Sequence, residues 1–106
     1  MAARVRSVVW AQSAYAALDD VIAYIAGDSA QAAQQVQERA LSTAASLGSL
    51  SERGRMVPEL ADPAIREVFV HHYRLLYRIE QDRVVVVAFL HGARDFTKWR
   101  QSQGLD

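Results

Sequence analysis

The spacing of apolar residues changes along the chain, and each change predicts an element. From Arg4 to Trp10 it alternates, with Val5, Ser7 and Val9 set against Arg6, Val8 and Trp10, and the branched side chains suit a pleated strand. After Ala11-Gln12-Ser13 the spacing lengthens. Ala14, Leu18, Val21, Ile22 and Ile25 form one helical stripe, which Ser13 is expected to cap and Gly27 to end. Asp28, with Gln31 three residues on, predicts a capped second helix with the stripe Ala33, Val36, Ala40, Leu41, Ala44 and Leu47. The alanines permit close approach, so the two helices read as an antiparallel hairpin that serves as scaffold.

Between Gly48 and Pro63 the periodicity fails, and Gly54, Pro58 and Pro63 punctuate a loop. Three strands rich in Val, Ile, Leu, Phe and Tyr follow, over Ile65–Val70, Tyr73–Glu80 and Arg83–His91, with tight turns at His71-His72 and Gln81-Asp82. Asp95 to Gly104 closes the chain as a short helix. The expected class is α+β, as a single domain over residues 1–106: an antiparallel sheet with an N-terminal strand, a helical hairpin on one face, a three-stranded meander and a short C-terminal helix.

A two-residue turn at Gln81-Asp82 pairs Glu80 with Arg83, and so places Arg78 opposite Val85 and Arg74 opposite Phe89. Tyr73, Leu75, Tyr77, Ile79, Val84, Val86, Ala88 and Leu90 then share the face toward the helices. The other face carries Arg74, Leu76, Arg78, Val85, Val87, Phe89 and His91. A small protein seldom leaves such a mixed face to water, so a partner or the Trp99 tail is expected to cover it. Arg74, His91 and Arg94 would cluster at one end.

Composition narrows the function classes. The chain is 51% hydrophobic and 23% charged with a formal net charge of zero, which removes a broad electrostatic case for direct DNA binding. Charge is unevenly spread: residues 1–62 hold five Arg against seven acids, whereas residues 63–106 hold six Arg and Lys98 against five. With no cysteine, disulfides, thiolate zinc sites and cysteine nucleophiles are excluded, and a reducing, cytoplasmic setting is expected. No apolar run is long enough for a membrane span, and no phosphate loop, nucleophile elbow or zinc motif occurs. His71 and His72 would point to opposite faces of a strand and are read as a turn. Neither a metal nor another cofactor is expected.

Four strings stand in order: Gly54-Arg55-Met56-Val57-Pro58-Glu59-Leu60, Arg66-Glu67, Tyr73-Arg74-Leu75-Leu76-Tyr77-Arg78-Ile79 and His91-Gly92-Ala93-Arg94-Asp95. Together they resemble the motif set of the RelE/ParE toxin family, and the ParE branch most closely. The resemblance implies a RelE-like fold and an antitoxin encoded beside the toxin. DNA would be contacted only through that antitoxin, and a toxin homodimer within a heterotetramer is common in the family. ParE-like members usually act on DNA gyrase; RelE-like members act on the ribosome and cut mRNA.

RNA cleavage on this fold uses no metal. It must activate a 2′-hydroxyl, stabilise a crowded phosphate and protonate the leaving oxygen. Arg74 and Arg94 match positions where RelE-like nucleases keep phosphate-binding arginines, with His91 as the acid or base; Glu59, Arg74 and His91 would imitate a second set. The lysines of RelE are missing from Arg66–Val70, and Trp99 and Arg100 stand near its C-terminal tyrosine. The expectation is therefore a non-enzymatic gyrase inhibitor, with a metal-independent endoribonuclease and an inactive operon-regulatory relative as alternatives. The expected contact residues for antitoxin or target are Arg66, Arg74, Leu76, Arg78, Phe89, Arg94 and Trp99. Arg55 and Glu59 are read as loop anchors, and Tyr73 and Tyr77 as core aromatics.

Overall fold

The computed structural model describes residues 5–104, so Arg4, the first residue of the predicted N-terminal strand, lies outside it. The elements run β1 (Ser7–Trp10), α1 (Gln12–Ala26), α2 (Ala30–Ser46), β2 (Arg55–Met56), β3 (Ile65–Val70), β4 (Tyr73–Ile79), β5 (Arg83–Leu90) and α3 (Gly92–Ser102). The five strands form one sheet in the order β1-β5-β4-β3-β2. β1 runs parallel to β5, with Ser7 beside Arg83 and Trp10 beside Val86, so the sheet is mixed rather than antiparallel. Alternation along a strand says which face a side chain takes and nothing about strand direction.

The helix starts differ from expectation by one to three residues, and α3 begins at Gly92 rather than Asp95. α1 begins at Gln12, and its N-cap is Ala11, which makes no side-chain cap. Ala11 still donates to Val86 O at 2.9 Å, so the chain passes directly from the sheet into the helix and leaves Ser13 inside the first turn. α2 is capped by Ser29, whose hydroxyl accepts from Ala32 N at 3.0 Å, and not by Asp28. The Asp28 and Ser29 amides both turn back to Ile25 O, at 3.0 and 2.9 Å, which ties Asp28 to the end of α1.

The stripes of α1 and α2 pack on one face of the sheet. Ala14, Leu18, Ala40, Ala44 and Leu47 meet Val68, Val70, Leu75, Tyr77, Val84, Val86 and Phe89 there. Leu41 is exposed, and Thr43 takes the buried place expected for it. One helical residue turns about 100°, which carries Leu41 off the line through Ala40, Ala44 and Leu47. On the opposite face, Phe96 and Trp99 of α3 pack on Ile65, Leu76, Val85, Val87, Ala88 and Leu90. The expected cover by the tail is therefore present.

A β-bulge decides what lies on each face. The β4–β5 register is as expected at Arg78, which pairs with Val85, but it shifts between Leu76 and Tyr77: Tyr77 pairs with Val86 and Leu76 with Ala88. Val87 is the extra residue. Beyond it every β5 side chain is displaced by one place, so Arg74 faces Leu90 and Leu75 faces Phe89. Phe89 thus lies in the helix-side core, and Ala88 and Leu90 lie under α3, the reverse of the predicted faces. The Trp99 indole N–H donates to Val87 O at 3.2 Å, satisfying a carbonyl at the point where the ladder is interrupted.

Candidate functional site

The polar centre of the α3 face is Glu67, in β3 between Ile65 and Phe69. Its side chain is 0% exposed, and a bare carboxylate there would carry a desolvation penalty of several kcal/mol. Two arginines offset that penalty. Arg55 Nε donates to Oε2 at 2.6 Å and Arg74 Nε donates to Oε1 at 2.6 Å. The two remaining arms of Arg74 donate to Glu59, Nη1 to Oε2 and Nη2 to Oε1, each at 3.0 Å. The result is a chain Arg55–Glu67–Arg74–Glu59, with Arg74 only 14% exposed and its guanidinium carbon 4.8 Å from the centre of the Phe96 ring. Arg55 sits 5.5 Å over the Phe69 ring. Arg55, which falls in β2 rather than in a loop, and Glu59, in the loop after it, thus fasten the segment before β3 onto the strands.

On the other face the same loop is held by Tyr77. Its buried hydroxyl accepts from Gly54 N at 2.9 Å and donates to Ser51 O at 2.7 Å. Gly54 is required by close approach, since a Cβ at that position would stand 2.5 Å from Glu67 O and 2.6 Å from the Tyr77 hydroxyl. Arg66 adds a hydrogen bond from Nη1 to Gly54 O at 2.9 Å, which makes it a loop tether. Burial pushes the Tyr77 hydroxyl above its usual pKa, against the lowering effect of the Gly54 hydrogen bond, and so keeps the proton that Ser51 O accepts. Tyr77→Phe should cost about 2–6 kcal/mol in a urea melt, because it strands one buried donor and one buried acceptor at about 1–3 kcal/mol each. A loss below about 0.5 kcal/mol would show that water replaces the hydroxyl.

Glu59 carries a pH dependence. The hydrogen bonds from Arg74 lower its pKa below 4.5, outweighing the partial burial that raises it, while the same contacts raise that of Arg74. A carboxyl whose folded pKa is depressed stabilises the fold above its unfolded pKa, and that contribution is lost as pH falls through the folded value. The Glu59 side chain is 40% exposed, so solvent keeps the contribution small. Wild type should therefore melt above Glu59→Gln near about pH 6, and the gap should narrow as the pH falls below the ordinary carboxylate range. A gap independent of pH would remove Glu59 as its source.

The structure distributes the other predicted residues widely. His91 shares a face with Phe89, away from Arg74: its ring lies 5.0 Å from Tyr73, and its backbone N–H donates to Asp95 Oδ2 at 3.0 Å. The expected cluster of Arg74 and His91 is thus split by the bulge. Arg94 is exposed and, among the described residues, makes no ion pair or hydrogen bond; Asp95 is engaged by the His91 amide. Arg78 lies 3.9 Å from Glu80. Leu76 and Phe89 are 0% and 3% exposed, so neither offers a side chain to a partner in this conformation, and Trp99 is buried over the sheet. Glu67 and Ser51 were given no role from sequence. The available signal was an acid on the strand face that it shares with the apolar Ile65 and Phe69.

A family model described as "ParE toxin of type II toxin-antitoxin system, parDE" matches residues 8–96. No curated protein sequence matches the chain. Among solved structures, a chain of the chromosomal ParDE TA system from P. aeruginosa superposes with a TM-score of 0.69 at 15% identity, over 85% of this chain and 99% of that one. At that identity the likeness speaks for the fold, which is the same α+β arrangement. With the family model spanning β1 to the first turns of α3, the chain belongs to the ParE toxin family of type II toxin–antitoxin systems.

Proposed function

We propose that this toxin arrests growth by binding DNA gyrase rather than by cutting RNA, and that a cognate antitoxin neutralises it in the cytoplasm. The observation that carries this reading is the state of Arg74. All three guanidinium nitrogens donate to Glu67 or Glu59, which takes up three of the five N–H groups and sets two carboxylates against the cation, so a phosphate would have to compete with both for it. His91 stands on the other face of the sheet, and Arg94 has no partner that orients it among the described residues. General acid–base catalysis needs its groups within hydrogen-bond reach of one reacting centre. Binding to a protein surface has no such requirement and is open to exposed cations such as Arg94 and Arg78. No helix among the described residues is long and apolar enough to cross a membrane.

The test is induction without the antitoxin, following DNA and protein synthesis over the first minutes, alongside gyrase supercoiling with purified toxin. Loss of supercoiling with early DNA arrest is expected. Intact supercoiling with early translation arrest and cleaved mRNA would replace this reading with the endoribonuclease, and unimpaired growth would indicate an inactive relative.

A further inference from the structure

One edge of the sheet is left open. Ser7 and Ala11 donate toward β5, to Asp82 O at 3.3 Å and Val86 O at 2.9 Å, whereas Arg6 N points the other way, to Gly48 O at 2.7 Å. Successive residues of a strand aim their amides to alternate sides, so the N–H and C=O groups of Val8 and Trp10 point outward. Among the described residues nothing bonds to them, and the Gly48 contact closes only the end of the edge at Arg6. Edge strands are ordinarily guarded by charge, proline, a bulge or a covering loop. Ser7-Val8-Val9-Trp10 has no charge and no proline, pairs in regular register, and includes Val9, 39% exposed. The opposite edge differs: there the two-residue β2 and the tethered loop lie against β3.

We infer that the outer edge of β1 takes an extended, uncharged segment of the antitoxin as a sixth strand, hydrogen-bonded to Val8 and Trp10; this rests on the toxin–antitoxin reading above. Length selects the occupant. Four residues span roughly 13 Å, an edge too short to bury by itself the roughly 800 Å² per partner that a stable symmetric dimer needs. An edge this short therefore suits a segment that continues onto other surfaces of the toxin, and not a second copy of the same chain. The absence of charge along it favours β-branched or aromatic residues in that segment over acidic or basic ones.

The experiment is amide hydrogen exchange, read by NMR, on the full chain alone and in complex with the full-length antitoxin co-expressed from beside it. In the free chain the Val8 and Trp10 amides should exchange fast, and in the complex at least about tenfold more slowly. A complex that leaves both amides unprotected overturns this inference and leaves the toxin–antitoxin reading standing, whereas failure of any complex to form overturns that reading as well. Protection that grows with toxin concentration alone would assign the edge to a second copy. As an independent measure, Val9→Lys should weaken the complex about tenfold with an unchanged melting temperature; unchanged affinity would count against the edge.

Discussion

Replacing Glu67 with alanine is expected to cost about 3–5 kcal/mol of stability. The carboxylate is fully buried and holds Arg55 and Arg74, each at 2.6 Å. Its removal leaves Arg74, only 14% exposed, with Glu59 as its sole carboxylate partner, and releases Arg55 from β3. A cation stranded in this way loses attraction that its desolvation requires, which is why breaking one side of a buried pair costs more than the pair itself contributes. For a domain of about 100 residues, each kcal/mol lowers the melting temperature by about 4–8 °C, so a drop of more than about 12 °C is expected. Arg74→Lys should also destabilise, because a single ammonium cannot reproduce three directed contacts to two carboxylates. A Glu67→Ala melting temperature within about 2 °C of wild type would mean that water enters and solvates the arginines, and the network would lose its claim to hold the loop.

Trp99→Ala is expected to cost a comparable 3–5 kcal/mol, typical of truncating a buried aromatic. The indole packs with Phe96, the ring centres 5.8 Å apart, and together they are the buried anchors of α3. Its N–H also satisfies Val87 O at the bulge, so truncation opens a cavity and leaves a carbonyl unpaired at the same place. Hydrogen exchange should locate the damage, with α3 amides losing protection first and the β4–β5 ladder next. Trp99→Phe keeps most of the buried ring and drops the donor, and should cost only about 1–2 kcal/mol. If Trp99→Ala melts like wild type but fails to bind a partner, the side chain serves recognition and not the core.

How far the sequence could be read follows from the range of the forces involved. Helices, turns and strands are set largely by neighbours within a few residues, and here those signals placed every element but the two-residue β2, which lies in the segment read as loop, while the helix starts moved by one to three residues. The stripes of α1 and α2, the turns at His71-His72 and Gln81-Asp82, and the pairing of Arg78 with Val85 are all visible in residue spacing. The covering of the second face by the Trp99 tail followed too, from the cost of leaving apolar side chains in water. The four ordered strings also pointed to the family, because they span the loop, the strands and the start of α3 in one order.

The tertiary structure alone decided what requires knowing which strand lies beside which. A single extra residue at Val87 reverses every side chain beyond it, so Phe89 moved to the helix side and His91 parted from Arg74. No local period marks that bulge; it becomes visible only where Leu76 meets Ala88 and where Trp99 reaches the Val87 carbonyl. The parallel direction of β1 was hidden for a related reason, since alternation is the same in either direction. The network around Glu67 joins residues 55, 59, 67 and 74, from a loop and three strands. Arg74 could be named as a candidate from sequence, but whether it would meet a phosphate or two carboxylates depended on the strand register and on how the loop folds over it.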